Sequence, residues 1–225
     1  MSDSDSSPVL GDLSRHLRIY VMRHEKRPED DPTFDVSLTD EGLTAAENDV
    51  SERLNDIGVN AVYSSPYRRV LQTVQPYIEE MDVGVKTRVD WCLSEHPEPN
   101  DVPPTEIPVE FYEEFDIDMT YKSFMTAEEA HANNFTVRQV ESRLAAFVEL
   151  LSKVHGKGDV VLLATHQTSV HALLSMASGI PLDCFGVPMG RIVELDWHGV
   201  LKYKHKHHDG QNGGDPKFAW LAEGD

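Results

Sequence analysis

Residues 17–27 read LRIYVMRHEKR, a largely apolar run that ends abruptly in five charged or ionisable side chains. The apolar part, residues 17–22, is typical of a strand in the interior of a sheet. The residues after it need solvent, a partner or a substrate, because an unpaired buried charge is very costly. Since open α/β sheets bind ligands at the carboxyl ends of their strands, this stretch predicts a binding site around His24.

A second histidine follows another apolar segment. Residues 159–164, DVVLLA, lead into Thr165 and His166, and a third strand-like segment, residues 60–65, precedes Arg68 and Arg69. Parallel neighbouring strands would place all three ends at one edge of a sheet. The resulting site would hold two imidazoles and several guanidiniums, with no obvious set of metal ligands.

Helical patterns alternate with these strands. The predicted helices cover residues 40–57, 67–81, 137–154 and 169–178, and Thr39 and Thr136 are placed as N-caps. Residues 85–89 are predicted as a further strand, and residues 191–197 and 200–206 as a final strand pair that turns at His198 and Gly199. This order predicts an α/β fold, a three-layer α/β/α sandwich with a mostly parallel central sheet.

The local amino-acid composition predicts one domain flanked by two tails. Residues 1–15 are expected to be a disordered tail, residues 16–208 a single domain, and residues 209–225 a flexible tail. Within the domain, residues 92–135 form an irregular insertion broken by prolines. Its aromatic side chains could accommodate an aromatic or steroid group, or form a small local core, which is the more ordinary outcome: Phe111, Tyr112, Phe115, Tyr121 and Phe124.

Charge and cysteine content restrict the functional class. The chain carries 39 acidic and 20 basic residues, a formal charge of −19, which argues against nucleic acid or an anionic membrane as a partner. No apolar run is long enough to span a membrane. Cys92 and Cys184 are far apart and belong to no CxxC pattern, so no disulfide is expected and a cytoplasmic location is predicted. A homodimer is left open.

The charged strand ends suit a phosphoryl group. Arginine binds phosphoryl oxygens through planar, charge-assisted hydrogen bonds. An imidazole can attack phosphorus and carry the group covalently, and nearby cations would keep His24 neutral, with a free nitrogen lone pair. A second imidazole can stabilise charge on the transferring group. The leaving group still requires an acid to protonate it.

Four segments, in order, resemble the signature segments of the histidine phosphatase (phosphoglycerate-mutase-like) superfamily: RHEKR at 23–27, SSPYRRVLQT at 64–73, CLSEHPEP at 92–99 and ATHQTSV at 164–170. The combination is highly specific, although no segment would suffice alone. Arg27 and the segment IDMTYKSF at 117–124 are similar to the branch that holds the phosphatase domain of the suppressors of T-cell-receptor signalling and the insect ecdysteroid-phosphate phosphatases.

The resemblance implies a metal-independent phosphomonoesterase without a cofactor, acting on a phosphorylated small molecule or a phosphoprotein. It implies that His24 is the nucleophile that becomes phosphohistidine, and that Glu95 is the general acid and then the base. It implies that the phosphoryl oxygens are bound by Arg23, Arg27, Arg69 and His166. Arg68 is expected to be an ordinary surface residue.

Glu25 departs from the family pattern, which has glycine after the nucleophile. A glutamate there could strain the backbone or repel phosphate, and we expect its side chain to point away from the pocket. Two alternatives therefore stay open at this stage. One is a catalytically silent phospho-ligand-binding or scaffolding module, favoured by Glu25, and the other is a phosphoglycerate-mutase-type transferase.

Overall fold

The computed structural model describes residues 16–81, 84–95, 103–132, 136–181 and 187–207. Within these ranges the strands are β1 (Arg18–Arg23), β2 (Ala61–Ser64), β3 (Thr87–Val89), β4 (Val160–Thr165) and β5 (Ile192–Glu194). They form one five-stranded sheet in the order β3-β2-β4-β1-β5 across the described part of the chain. The pairs among β1 to β4 are parallel, and β5 is antiparallel to β1. The predicted α/β class with a mostly parallel sheet is therefore confirmed.

The helices fall into groups that flank the sheet. The helices of the described ranges are α1 (Asp40–Ala45), α2 (Ser51–Ile57), α3 (Arg68–Glu80), α4 (Val109–Glu114), α5 (Ala127–Ala132), α6 (Val137–Val154), α7 (Gln167–Ser178) and α8 (Trp197–His207). A π-helical turn, Ala46–Val50, joins α1 to α2. The first three helices pack on one another, as do the last three. Thr39 and Thr136 cap α1 and α6 as predicted, each accepting a backbone N–H.

The two central strands are buried on both faces. Ile19, Val21 and Met22 of β1, and Val161 and Leu163 of β4, are fully buried. Burial on both faces explains why these strands read as continuous apolar runs rather than as alternating ones. Each such side chain contributes about 1.5–3 kcal/mol through burial, which fixes the strands that carry the two histidines.

The C-terminal segment differs from the prediction: residues 200–206 belong to helix α8 and not to a strand. Asp196 begins this helix, because its Oδ1 accepts the Gly199 N–H at 3.1 Å and its carbonyl accepts the Val200 N–H at 3.2 Å. Val200 is fully buried, and α8 packs against both α6 and α7. Burial against two helices outweighs the strand-like alternation of this segment. Only β5 of the predicted strand pair forms, alongside β1.

Three aromatic rings of the insertion join the main hydrophobic core. Phe111, Phe115 and Phe124 are buried, and the Phe111 ring stacks on Phe34 with centroids 5.8 Å apart. These three rings are therefore core residues, as the more ordinary interpretation predicts, but they belong to the main core and not to a separate local one. Tyr121 donates its hydroxyl to the buried Asp90 carboxylate, which holds the insertion against the end of β3.

Several predictions fall outside the described residues. The tails at 1–15 and 209–225 and Cys184 lie there, while Cys92 is a buried free thiol. Within the described ranges no helix combines the length and the apolar character needed to cross a membrane.

Candidate active site

His24 and His166 follow paired residues on adjacent parallel strands. Arg23 of β1 is in register with Thr165 of β4, so the next residue on each strand is a histidine. The His24 N–H donates to the Thr165 carbonyl at 3.0 Å, and the two imidazole centroids are 5.3 Å apart at an interplanar angle of 66°. Both side chains are buried. The register of the sheet thus brings the two predicted histidines together.

The His24 ring is held with one nitrogen available. Nδ1 lies 2.6 Å from the Glu25 carbonyl oxygen, an acceptor, so Nδ1 carries the proton and Nε2 keeps its lone pair. Burial first, and then the positive charge of Arg69, lowers the pKa of His24 from 6.5 to about 3. Arg23 and Arg27 act in the same direction. His24 is therefore a neutral imidazole at physiological pH, the form that a nitrogen nucleophile requires.

His166 is fixed between three polar side chains. Its Nε2 lies 2.8 Å from Ser65 Oγ, and its Nδ1 lies 3.4 Å from both Arg69 Nη2 and Glu95 Oε2. Burial first, and then Arg69 and His24, lowers the pKa of His166 well below 6.5. A neutral ring that accepts from Arg69 at Nδ1 has its proton on Nε2 and donates to Ser65. His166 therefore contacts both the predicted phosphate clamp and the predicted acid.

The three predicted arginines surround His24, and backbone carbonyls orient them. Arg69 is buried, and its Nη1 donates to the Thr33 carbonyl at 2.8 Å. Arg27 Nη1 donates to the Asp31 carbonyl at 2.9 Å, and Arg23 Nη1 donates to the Val187 carbonyl at 2.9 Å. Carbonyl acceptors orient a guanidinium without neutralising its charge. The cluster therefore retains the positive field that an anionic phosphoryl group needs.

Glu95 lies beside His166, with its Oε2 3.4 Å from His166 Nδ1. Its side chain is 23% exposed, so it is open to solvent on one side. Its charge raises the pKa of Arg23 against the larger lowering caused by burial, so Glu95 lies close enough to that arginine to interact with it electrostatically. The chain offers other carboxylates after Glu95 that could serve as the acid: Glu98 and Asp101 lie outside the described residues, and Glu106 is exposed.

Glu25 points away from the phosphate pocket. Its carboxylate is buried against Gly190, and the charged side chains that affect its pKa are Arg53, Asp49 and Glu41, on the side of α1 and α2. Its backbone N–H donates to Thr73 Oγ1 at 3.0 Å. Among the described residues only glycines have positive φ, so Glu25 carries no left-handed strain. The expected orientation of Glu25 is confirmed.

Sequence reasoning missed three residues that shape the site. Ser65 orients His166, and the Gly190 N–H contacts the carbonyls of Arg23 at 3.1 Å and His24 at 3.2 Å. Thr165 Oγ1 donates to the Leu93 carbonyl at 2.7 Å, which ties β4 to the segment before Glu95. Ser65 and Thr165 stand inside the quoted motifs and could have been found there. No local sequence pattern indicates that Gly190 belongs to the site, because the residues that it contacts are distant in sequence.

Other candidates prove ordinary. Arg68 pairs with Asp35 and Glu114 and takes no part in the pocket, as predicted. His205 belongs to a short run of histidines near the end of the described chain that resembles a metal-binding tract, and it is exposed on α8. In the described ranges no three His, Cys, Asp or Glu side chains are grouped as metal ligands.

This geometry can be compared with known proteins. The family model of the histidine phosphatase superfamily (branch 1) matches residues 19–207. The chain belongs to this superfamily. A search of curated protein sequences finds no match.

Solved structures with the same fold include several phosphatases. Ecdysone phosphate phosphatase from Bombix mori, in complex with tungstate, has a TM-score of 0.55 at 21% identity, covering 79% of this chain and 88% of that one. A phosphoserine phosphatase from Entamoeba histolytica has a TM-score of 0.56 at 17% identity, covering 79% and 89%. A mycobacterial glucosyl-3-phosphoglycerate phosphatase has a TM-score of 0.57 at 19% identity, covering 79% and 90%. At these identities the comparison shows the shared fold.

Proposed function

We propose that this histidine phosphatase superfamily member is a metal-independent phosphomonoesterase that acts through a phosphohistidine on His24. The observation that carries the proposal is a neutral, buried His24 with Nε2 free, surrounded by three arginines. Superfamily membership supports the same chemistry.

The reaction follows from the positions of these groups. Nε2 of His24 attacks phosphorus, the bond from phosphorus to the ester oxygen breaks, and protonated Glu95 gives its proton to the leaving oxygen. Arg23, Arg27 and Arg69 stabilise the equatorial oxygens, and the bound phosphoryl anion favours protonation of His166 at Nδ1, so that its N–H joins them. The Glu95 carboxylate then takes a proton from water, which attacks the phosphohistidine. Inorganic phosphate leaves, and His24 returns to its neutral form.

Turnover of p-nitrophenyl phosphate in excess EDTA tests the proposal. We expect EDTA-resistant activity, and an acid-labile phosphoenzyme after rapid quenching with labelled substrate. His24→Ala should lose both signals, whereas the exposed control His205→Ala should retain them. A phosphoenzyme that survives His24→Ala would show that the nucleophile is wrong, and absence of turnover from acidic to neutral pH would reject the phosphatase.

The silent binding module loses its main support, because Glu25 is directed into the protein and away from the arginines. It would be favoured by tight vanadate binding without turnover. A mutase, which the superfamily also includes, predicts interconversion of phosphoglycerates without net release of phosphate. The same preparations can be assayed for both outcomes.

The proposed substrate class is a phosphate monoester, and an assay panel distinguishes the possible leaving groups. Phe111, Phe115 and Phe124 are buried in the main core, so these rings offer no stacking surface to a steroid or an aryl group. A panel should include an ecdysteroid phosphate, phosphoserine and glucosyl-3-phosphoglycerate, the compounds named for the three structural neighbours, and a phosphotyrosine peptide. Ranking them by kcat/KM identifies the preferred leaving group.

A further inference from the structure

Arg143, on α6, is a buried arginine outside the phosphate pocket. Its side chain is 1% exposed, and no carboxylate of the described residues lies within ion-pair distance of it. Its Nη2 donates to the Ser94 carbonyl at 2.7 Å and its Nη1 to the Ala130 carbonyl at 3.3 Å. Its Nε has no hydrogen-bond partner among the described residues. Burying a charge in this way is costly, so its position requires a physical reason.

The contact with Ser94 supplies that reason. Ser94 directly precedes Glu95, and the residue before it, Leu93, is also held by its carbonyl, which accepts from Thr165 Oγ1 at 2.7 Å. Two consecutive carbonyls before Glu95 are therefore fixed, one by the residue that precedes His166 and the other by Arg143. Together they set the Glu95 carboxyl group relative to His166, 3.4 Å away.

The charge of Arg143 acts on the same group. Burial lowers the pKa of Arg143, and the negative charge of Glu95 is among the nearby influences that oppose this lowering. By reciprocity the guanidinium favours the carboxylate form of Glu95, which suits the later attack by water but opposes protonation of the leaving group. A loss of leaving-group protonation in a variant therefore reports lost positioning of Glu95 and not lost charge. A neutral side chain of similar size would hold the segment less firmly and would supply no such charge.

We propose that Arg143 is a positioning residue for the acid–base function of Glu95, acting through the Ser94 carbonyl. This inference rests on the proposed phosphatase function. It concerns protonation of the leaving group and leaves binding of the phosphoryl group to the pocket arginines.

Aryl esters of different leaving-group strength isolate this role. The p-nitrophenolate anion leaves without full protonation, whereas phenoxide, of nearly the same shape, depends more strongly on an acid. Since kcat/KM covers the steps up to phosphoenzyme formation, it reports leaving-group protonation and not the later hydrolysis. Loss of positioning at Glu95 should therefore lower kcat/KM for phenyl phosphate much more than for p-nitrophenyl phosphate.

The experiment compares Arg143→Met and Arg143→Lys with the exposed control Arg138→Met on the same helix. For Arg143→Met we expect kcat/KM to fall about 100-fold with phenyl phosphate and about 5-fold with p-nitrophenyl phosphate, within the range of acid–base effects. Vanadate affinity should stay within about threefold, because Arg69 and His24 are intact. Arg143→Lys retains a charge but loses the planar fork, and should show a smaller effect in the same direction. Arg138→Met should behave as the parent protein does.

A Glu95→Gln background gives a second readout. If Arg143 acts through Glu95, Arg143→Met should add little selective loss once the acid is absent. The inference would be overturned if Arg143→Met lowered kcat/KM equally for phenyl phosphate and p-nitrophenyl phosphate. It would also be overturned if the fold losses of Arg143→Met and Glu95→Gln multiplied fully in the double variant. Should Arg143→Met fail to fold, the ester ratio of Arg143→Lys decides in the same way. Absence of turnover in the parent protein would instead reject the phosphatase itself, and with it the role of Arg143.

Discussion

The Glu25 carboxylate occupies the space beside the α-carbon of Gly190: a Cβ added to Gly190 would lie 1.6 Å from Glu25 Oε1. The carbonyl of Gly190 accepts from Arg53 Nη2 at 2.9 Å, and its N–H contacts the carbonyls of Arg23 and His24. Glu25, which stands where the family has glycine, thus fits because Gly190 has no side chain. The Gly190 N–H also contacts the backbone carbonyls of Arg23 and His24 and so supports the nucleophile.

Gly190→Ala should therefore be costly in two ways. Gly190 has φ of 65°, and the added methyl group would displace the Glu25 carboxylate. We expect a loss of about 2–4 kcal/mol in the free energy of unfolding, measured by urea denaturation, and a fall in kcat. Gly179→Ala, with φ of 72° and nothing near the added Cβ, is the matched control and should lose only the backbone component, about 1 kcal/mol. Glu25→Ala should partly rescue Gly190→Ala. Equal losses at the two glycines would contradict the role of the Glu25 contact.

Glu25→Gln should change how stability depends on pH. Burial raises the pKa of Glu25, although the Lys26 amide and Arg53 oppose the rise. A raised folded-state pKa contributes stability below the unfolded value, about 4.3, and this contribution is lost as pH rises through the folded value. Glutamine does not titrate, so the unfolding free energy of the variant should increase relative to the parent between pH 4 and pH 7. The exposed Glu52→Gln is the control. A difference that stays constant across this range would contradict the prediction.

Local sequence predicted the two strand ends well, because a buried strand that runs into a histidine combines an apolar pattern with an abrupt change of polarity. It also predicted the Thr39 and Thr136 caps, which depend on neighbours three residues away. The alternating pattern of residues 200–206 predicts a strand and is wrong, because the packing of α8 against α6 and α7 is a long-range effect. Arg143 did carry a signal, since it lies three residues after buried Val140 and four before buried Phe147 on the core face of α6.

Arg69→Met should disable phosphate binding, whereas Arg68→Met should not. Arg69 is buried beside His166, while the neighbouring Arg68 is paired with Asp35 and Glu114 on the other side of the helix start. We expect Arg69→Met to lower kcat/KM by about 10²–10³-fold and to weaken vanadate inhibition to a similar extent. Arg68→Met should keep activity within about threefold and lose about 1 kcal/mol of stability or less. Similar kinetics for the two variants would remove Arg69 from the clamp.

Asp90→Asn should loosen the insertion and the segment that leads to Glu95. The Asp90 carboxylate accepts from the backbone N–H groups of Cys92 at 2.9 Å and Phe124 at 2.8 Å, and from the hydroxyls of Tyr121 and Ser123. An amide in its place would present N–H donors to groups that are themselves donors, so we expect a loss of about 2–4 kcal/mol in urea denaturation. The exposed Asp116→Asn should lose less than about 0.5 kcal/mol. Equal stability of the two variants would show that the buried network contributes little.

Acid should destabilise the protein through His24. Burial and the neighbouring arginines lower the pKa of His24 to about 3, against 6.5 in the unfolded chain. A lowered folded-state pKa contributes stability that is present above 6.5 and is lost as pH falls toward the folded value. Lowering the pH from 7 to 5 in phosphate-free buffer should therefore reduce the free energy of unfolding of the parent by about 2 kcal/mol more than that of His24→Gln. The exposed His205→Gln provides the control. Direct titration of the His24 ring by NMR checks the cause, and an imidazole that protonates near pH 6.5 in the folded protein would contradict the neutral nucleophile.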